Sequence, residues 1–289
     1  MLFHIGLVSR TKRVGFEDLS LVSAAIQKQV ARDFSPIWKV EATVDAFAAL
    51  EDVPSDYWLV TVEEFNGAGG FAGIHGVDNF QPWARVAHSN VWSLTASHEV
   101  LEMLADPFRS RLVAGPSIED PDRRVQYLVE VCDACQDPEQ AYPVNGIMVS
   151  DFVTPAYFEP VSAAGVRYSF TGSVTGPREL AEGGAIVWFD EERRHWRQAT
   201  RNGDDIDFET LSAPATAALA PREWVNRAVG QPDWWRHGLP ASDATLKRYA
   251  RLAQSVRRAA RARARRVRKR LHVLRRTQGR RRQARNREG

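Results

Sequence analysis

Ser93-Leu-Thr-Ala-Ser-His-Glu-Val-Leu-Glu-Met-Leu-Ala-Asp-Pro107 is the stretch on which the reading of this chain turns. Ser93 is placed to cap a helix, and Pro107 biases the residue before it away from helical backbone, so the spacing predicts a helix over 93–106. Leu94, Ala96, Val100, Leu101, Met103, Leu104 and Ala105 cover most of its circumference. His98, Glu102 and Asp106 recur at i, i+4 and i+8 and share one face, with Glu99 beside them. A helix this apolar is expected to be buried, and its polar stripe must then face a lined cavity, a cleft or a partner. The stretch holds Glu99, Glu102 and Asp106 but no Lys or Arg. Buried carboxylates in that situation must take up protons, meet basic groups from other segments, or bind a cation.

A His four residues before a Glu presents two ligands to one metal ion, and the Glu directly after that His can work on water at the metal. His-Glu-x-x-Glu is in this sense the His-Glu-x-x-His arrangement of zinc peptidases with Glu102 in place of the second His. The competing reading is a solvent-facing stripe with a surface His.

Outward from this helix, residues 2–8 read as a buried strand. Leu19, Val22, Ile26 and Val30 read as an amphipathic helix that Pro36 closes. Trp38, Val40, Ala42 and Val44 alternate as a half-buried strand, and Tyr57–Val62, Phe71–Val77 and Trp83–Ala87 continue the sheet. Past the helix, Val125–Val131, Ile147–Phe152, Val166–Ser173 and Gly184–Gln198 read as strands, the last pair as a β-meander with a hairpin near Glu191. The order favours an α+β layered domain over residues 1–210, a mixed sheet carrying the 93–106 helix. An Ala/Pro/Trp-containing linker over 211–241 and an Arg-rich helical tail over 242–289 follow. The Gly67–Gly73 loop lacks the spacing of a phosphate-binding loop and is expected to border the cleft.

Ser97-His-Glu-Val-Leu-Glu-Met-Leu-Ala-Asp-Pro107 resembles the S-H-E-L-x-E-x-x-[TAV]-[DN]-P segment of zincin-like bacterial proteins and of the plant phosphate-induced, Exordium-like proteins. Glu130-Val-Cys-Asp-Ala-Cys135 is similar to their E-[IV]-G-D-x-C segment at Glu130, Asp133 and Cys135. Val149–Phe158 resembles their V-x-[ND]-[FY]-x-x-P-x-[FW] strand, and Gly73-Ile-His75 their G-[WY]-H segment. The resemblance spans roughly residues 67–158. It implies a zincin-like metallopeptidase fold with a metal on the helix, and places Glu130 at a strand end after it. This chain departs from the plant proteins in its basic tail and in lacking an evident secretion signal.

A catalytic zinc needs three protein ligands and one open position. His98 and Glu102 supply two, and Glu130 is preferred as the third because a carboxylate from a separate element closes the site. Asp133 and Asp106 are the alternatives. Asp106 lies two turns from His98, about 12 Å of rise, and is better placed to orient backbone or a ligand's neighbour. Glu99 is the expected general base for metal-activated water, and His75 a residue contacting substrate or supporting a ligand. Two carboxylate ligands make the ion a weaker Lewis acid, so Mn2+ or Ca2+ stand behind Zn2+. Cys132 and Cys135 form one CxxC. It reads as small residues in a tight turn, as a redox pair, or as half of a structural zinc site whose other half is not evident.

The 289 residues hold 39 Lys/Arg and 36 Asp/Glu, with 44% hydrophobic content. The net charge of +3 hides a segregation: from Lys247 onward there are nineteen basic residues and one acidic, Glu288. That segment carries +18 and the 246 residues before it −15, an acidic body with a basic tail. Ser242 or Asp243 can cap a helix whose Leu246, Tyr249, Ala253, Val256, Ala260, Ala264, Val267, Leu271 and Leu274 step by three or four. Arg257, Arg258, Arg261, Arg265, Arg266, Arg268, Lys269 and Arg270 on its other faces call for an anionic partner. That partner is nucleic acid bound without sequence preference, an anionic surface, or the acidic body of the same protein. No apolar run reaches bilayer length, no signal peptide is evident, and two cysteines make no disulfide framework, so a cytoplasmic location is expected.

The expectation is therefore a metal-dependent hydrolase of peptide bonds acting on a peptide or protein. The alternatives are a catalytically inactive zincin-like binding protein, or a protein associated with nucleic acid or an anionic surface through its tail.

Overall fold

The apolar N-terminal run forms β1 (Leu2–Ser9), and the helix read from Leu19, Val22 and Ile26 is α1 (Phe16–Gln29). The computed structural model describes residues 2–64, 72–211 and 241–285, with 273–285 as backbone alone. The Trp224, Trp234 and Trp235 region, nearly all of the linker and most of the glycine-rich loop lie outside the described residues.

Pro36 does not close the first helix. The chain continues through a π-turn, Val30–Phe34, into α2 (Ser35–Trp38), where Pro36 occupies the first turn and its missing N–H costs no hydrogen bond. The helical run stops at Lys39, whose φ of 59° turns the chain left-handed. Trp38 consequently belongs to a helix end rather than a strand, and its indole N–H donates to the Val153 carbonyl at 2.9 Å.

β2 (Glu41–Phe47), β3 (Trp58–Glu63), β4 (Gly73–Asp78) and β5 (Gln81–Ala87) complete a five-stranded sheet in the order β2-β1-β3-β5-β4. The first four strands run parallel, and edge strand β4 is antiparallel to β5. α3 (Trp92–Ala105) then packs against β3, β4 and β5. Its Pro-directed end falls where the spacing placed it. Ser93 is not its cap: the helix begins one residue earlier, and the Ser93 hydroxyl donates to the Met148 carbonyl at 3.0 Å.

β6 (Leu112–Pro116) and β7 (Arg124–Leu128) follow, then the short hairpin β8 (Tyr142–Val144) and β9 (Ile147–Val149). β10 (Ala185–Asp190), β11 (His195–Asn202) and β12 (Asp205–Leu211) join the former pair in an antiparallel sheet ordered β12-β11-β10-β7-β6. The hairpin near Glu191 is present. β12, not expected from hydrophobic alternation, follows the Asn202-Gly203 turn, where Gly203 has φ of 66°.

Two expected strands are shorter and one is absent. The segment from Val125 ends as a strand at Leu128, that from Ile147 at Val149, and residues 166–173 contribute only an isolated bridge between Val153 and Ser169. Asp151 is the reason for the last two. Its carboxylate accepts the N–H groups of Phe152 and Thr171 (both 2.9 Å) and the hydroxyls of Thr171 (2.6 Å) and Ser173 (2.7 Å). Side-chain bonds there replace ladder bonds.

The result is a mixed α+β architecture around one connected core, from Ile5 in β1 to Ala199 in β11. α4 (Asp243–Arg285) is the long C-terminal helix. The Ser242 hydroxyl accepts the Thr245 N–H at 3.2 Å, as an N-cap does. Leu246, Tyr249 and Leu252 pack against Val91, Leu94, Ala141 and Met148. Only this first part of the apolar strip is covered, since Val267 and Leu271 are about half exposed. Among the described residues no helix is long and apolar enough to cross a membrane.

Candidate metal centre

Every residue of α3 from Leu94 to Ala105 is buried, so its polar stripe does not face solvent. His98 is 9% exposed, Glu99 5% and Glu102 1%. His98 Nε2 lies 3.2 Å from Glu102 Oε1 and 3.3 Å from Asp133 Oδ1. His75, on β4, reaches the same stripe from the sheet: its Nδ1 is 3.0 Å from Glu99 Oε2 and 3.5 Å from Glu102 Oε2.

The second sheet supplies the other wall. Beyond β7 the chain runs through Val129–Cys132 into a 3-10 turn, Asp133–Cys135. Backbone bonds lock this segment in place: Val153 N–H donates to the Val131 carbonyl at 2.7 Å, and Ala181 N–H to that of Ala134 at 2.9 Å. Gly184 packs so closely that a Cβ there would sit 2.4 Å from the Ala134 carbonyl oxygen. Glu130 and Asp133, both buried, are thereby held beside Glu102, with one carboxylate oxygen of each of the three inside a 4.8 Å cluster.

Of the three candidates for a third ligand, Asp133 lies against the His98 ring, and Asp133 and Glu130 both share a cluster with Glu102. Asp106 is turned away. Its carboxylate accepts the Arg111 N–H at 2.7 Å and shapes the loop after α3, while burial pushes its pKa up. That is the backbone-orienting role expected of it.

Cys132 is the donor that the spacing of residues did not single out. Its thiol sits within 4.8 Å of ligand atoms of His98 and Glu102, and its N–H points at Glu102 Oε1, 3.4 Å away. Both cysteines are free and buried, and burial raises their thiols well above the ordinary value. Neither is poised as a nucleophilic redox thiol.

The electrostatics follow from the donor set. Burial alone lowers the His98 imidazole, but Glu102, Asp133 and Glu99 outweigh it and raise that pKa well above normal. Four carboxylates, those of Glu99, Glu102, Glu130 and Asp133, face two imidazoles here, a donor set rich in acid groups. The separations of 3.2 and 3.3 Å around His98 are those two ligands need when each sits about 2.0–2.2 Å from one tetrahedral ion. The residues fit a divalent cation in charge, in spacing and in donor chemistry.

Gly73 completes the wall. A Cβ at this position in β4 would stand 2.4 Å from Glu99 Oε1 and 2.6 Å from Thr95 Cγ2, so the strand backbone lies directly against the Glu99 carboxylate. A cavity of about 500 Å3 lies elsewhere, between α4 and the start of α3, and none of the cluster residues lines it. No protein-family model, curated protein or solved structure matches the chain.

Proposed function

We propose that this chain is a zincin-like, metal-dependent hydrolase of peptide bonds, with a divalent cation held by His98, Glu102 and one further carboxylate, that of Asp133 or Glu130, which leaves a position open for water. The observation that carries the reading is the convergence on Glu102 of donors from three separate elements: His98 on α3, His75 on β4, and the turn after β7. A sheet of parallel strands ending in an antiparallel edge strand, with the His-Glu-x-x-Glu helix packed against that edge, supports the zincin-like arrangement. The neighbouring thiol of Cys132 favours Zn2+ over Mn2+ or Ca2+, which an all-oxygen set would suit better.

When bound, such a cation would polarise the scissile carbonyl and lower the pKa of water beside it. Glu99 accepts a proton from the attacking water and returns it to the leaving amine. His75 holds the base in place, its Nδ1 against Oε2, while Gly73 leaves room for Oε1. The carboxylate-rich ligand set reduces the Lewis acidity of the centre, so turnover is expected to be modest.

Elemental analysis of full-length protein purified without chelator tests this. One equivalent of metal in the wild type and none in His98→Ala, with unchanged circular dichroism, is the expected result; natively folded, metal-free wild-type protein would defeat it. Glu99→Gln then separates a peptidase from an inactive binding protein. The peptidase loses turnover by about 10²–10⁴-fold and keeps its metal, whereas a binding protein has no turnover to lose.

The tail favours a second, compatible activity. Arg257 and Arg261 pair with Asp18 and Glu17 at the start of α1, at 2.5 and 3.1 Å, so the acidic body occupies these two of the expected partner-binding residues. Arg258, Arg265, Arg266, Arg268, Lys269 and Arg270 remain exposed on a helix anchored at its base. We propose that this distal segment takes an anionic partner, nucleic acid without sequence preference in first place, because Arg dominates and phosphate suits its planar fork. Replacing Arg265, Arg266, Arg268 and Arg270 by Gln should flatten the salt dependence of duplex binding; an unchanged slope would remove the tail from that role.

A further inference from the structure

We propose that the buried cluster accommodates a second divalent cation, held by His75 Nδ1, Glu99 and Glu102, with Glu102 bridging the two ions. The assignment of the first ion rests on the proposal above; the second site rests on its own geometry. Glu102 divides its oxygens, Oε1 toward His98 at 3.2 Å and Oε2 toward His75 at 3.5 Å. A carboxylate presenting one oxygen to each of two imidazoles is disposed as a bridge, and paired ions about 3.5–4 Å apart commonly share one.

The second set is complete without the first. His75 Nδ1, Glu99 and Glu102 each offer an atom inside a 4.8 Å cluster; the 3.5 Å from Nδ1 to Glu102 Oε2 is the separation of two ligands on one tetrahedral ion, and the 3.0 Å hydrogen bond to Glu99 Oε2 has to open by only a few tenths of an ångström, to roughly 3.3 Å, to admit the ion. All three residues are buried, and they come from two elements, the strand β4 and the helix α3, packed against each other. Nδ1 faces one oxygen of each carboxylate, the arrangement in which a cation can sit among the three. Because the two sites share Glu102, an ion in one repels an ion entering the other, so the two fill in succession.

Occupation has a consequence for chemistry. Glu99 cannot both ligate a cation and accept a proton from water, so excess divalent cation withdraws the proposed base. The centre is then limited by the concentration of the metal that activates it.

Equilibrium dialysis of the full chain against rising Zn2+, read by elemental analysis, is the test. Two successive equivalents are expected in the wild type. In His75→Gln the first is retained, and the second weakens by more than the roughly 10–100-fold that loss of an outer partner costs. A single equivalent at saturation overturns the second site and leaves the first standing; no bound equivalent fells the reading beneath it. Two equivalents unchanged in His75→Gln also overturn the assignment, by locating the second ion elsewhere. Should His75→Gln fail to fold, Mn2+ loading of the wild type decides. Ions sharing one carboxylate are magnetically coupled, so the paramagnetic resonance signal of the singly loaded protein should diminish on second loading. A signal that simply doubles refutes the bridge.

Discussion

Glu102 turns its two oxygens toward two different rings, and this one side chain ties α3 to both sheets through His75 and the Cys132 N–H. His98, Glu99 and Glu102 were legible as a group because helical periodicity brings i and i+4 together whatever the rest of the chain does. His75 was legible only as a histidine near a glycine-rich stretch, since nothing local says that β4 lies over the helix. Asp133 over Glu130 as the contact to His98 depends on one turn of 3-10 helix, a choice of a few ångströms that spacing along the chain does not encode. Gly73 gives this a sharp consequence. Gly73→Ala should push Glu99 out of position, lowering peptide hydrolysis toward the level of Glu99→Gln while metal content stays at the wild-type value. Parallel assays of metal and turnover check this, and loss of both together would mean that β4 had moved bodily.

α3 is positioned by more than its apolar surface. The Ser97 hydroxyl accepts the Ser150 N–H at 2.7 Å and donates to the Leu94 carbonyl at 2.9 Å, pinning the helix to the segment after β9. Ser97→Ala leaves that buried N–H without its acceptor and should cost about 1–3 kcal/mol, read as a lower urea midpoint with unchanged slope. The base of α4 is held differently, by Glu139, which accepts from Thr245 and Ser242. Those bonds, the Thr245 hydroxyl first, keep the Glu139 carboxyl below its ordinary value. A depressed carboxyl contributes stability that is present above its unfolded pKa near 4.3 and lost as pH falls through the folded one. Hydrogen-exchange protection over residues 243–252, taken relative to the intrinsic rate at each pH, should accordingly hold at neutral pH and fall as acid protonates Glu139. Element boundaries are the least legible feature: Pro36 predicts a stop where the chain uses it to start α2, and Asp151 cuts short strands that hydrophobicity alone would extend.

Across the two sheets, the cluster joins α3, β4 and the turn after β7 around one set of negative charges, so a cation bound there stabilises the fold as a unit. At a hundredfold excess over its Kd it should add about 2.7 kcal/mol, seen as a rise in Tm that chelator reverses and that His98→Ala lacks. The acidic body and the basic helix meet through Asp18–Arg257 and Glu17–Arg261, which satisfies part of the charge segregation within the molecule and leaves the distal arginines for other anions. Periodicity and charge composition, both properties of short stretches, were enough to define the buried acidic helix, the α+β class and the Arg-rich tail. The pairing of His75 with Glu99, the approach of Asp133 to His98 and the docking of α4 on α1 were not written in any short stretch. Each joins residues 24, 35 or more than 200 positions apart, and such contacts exist only once strand order and packing have closed the distance.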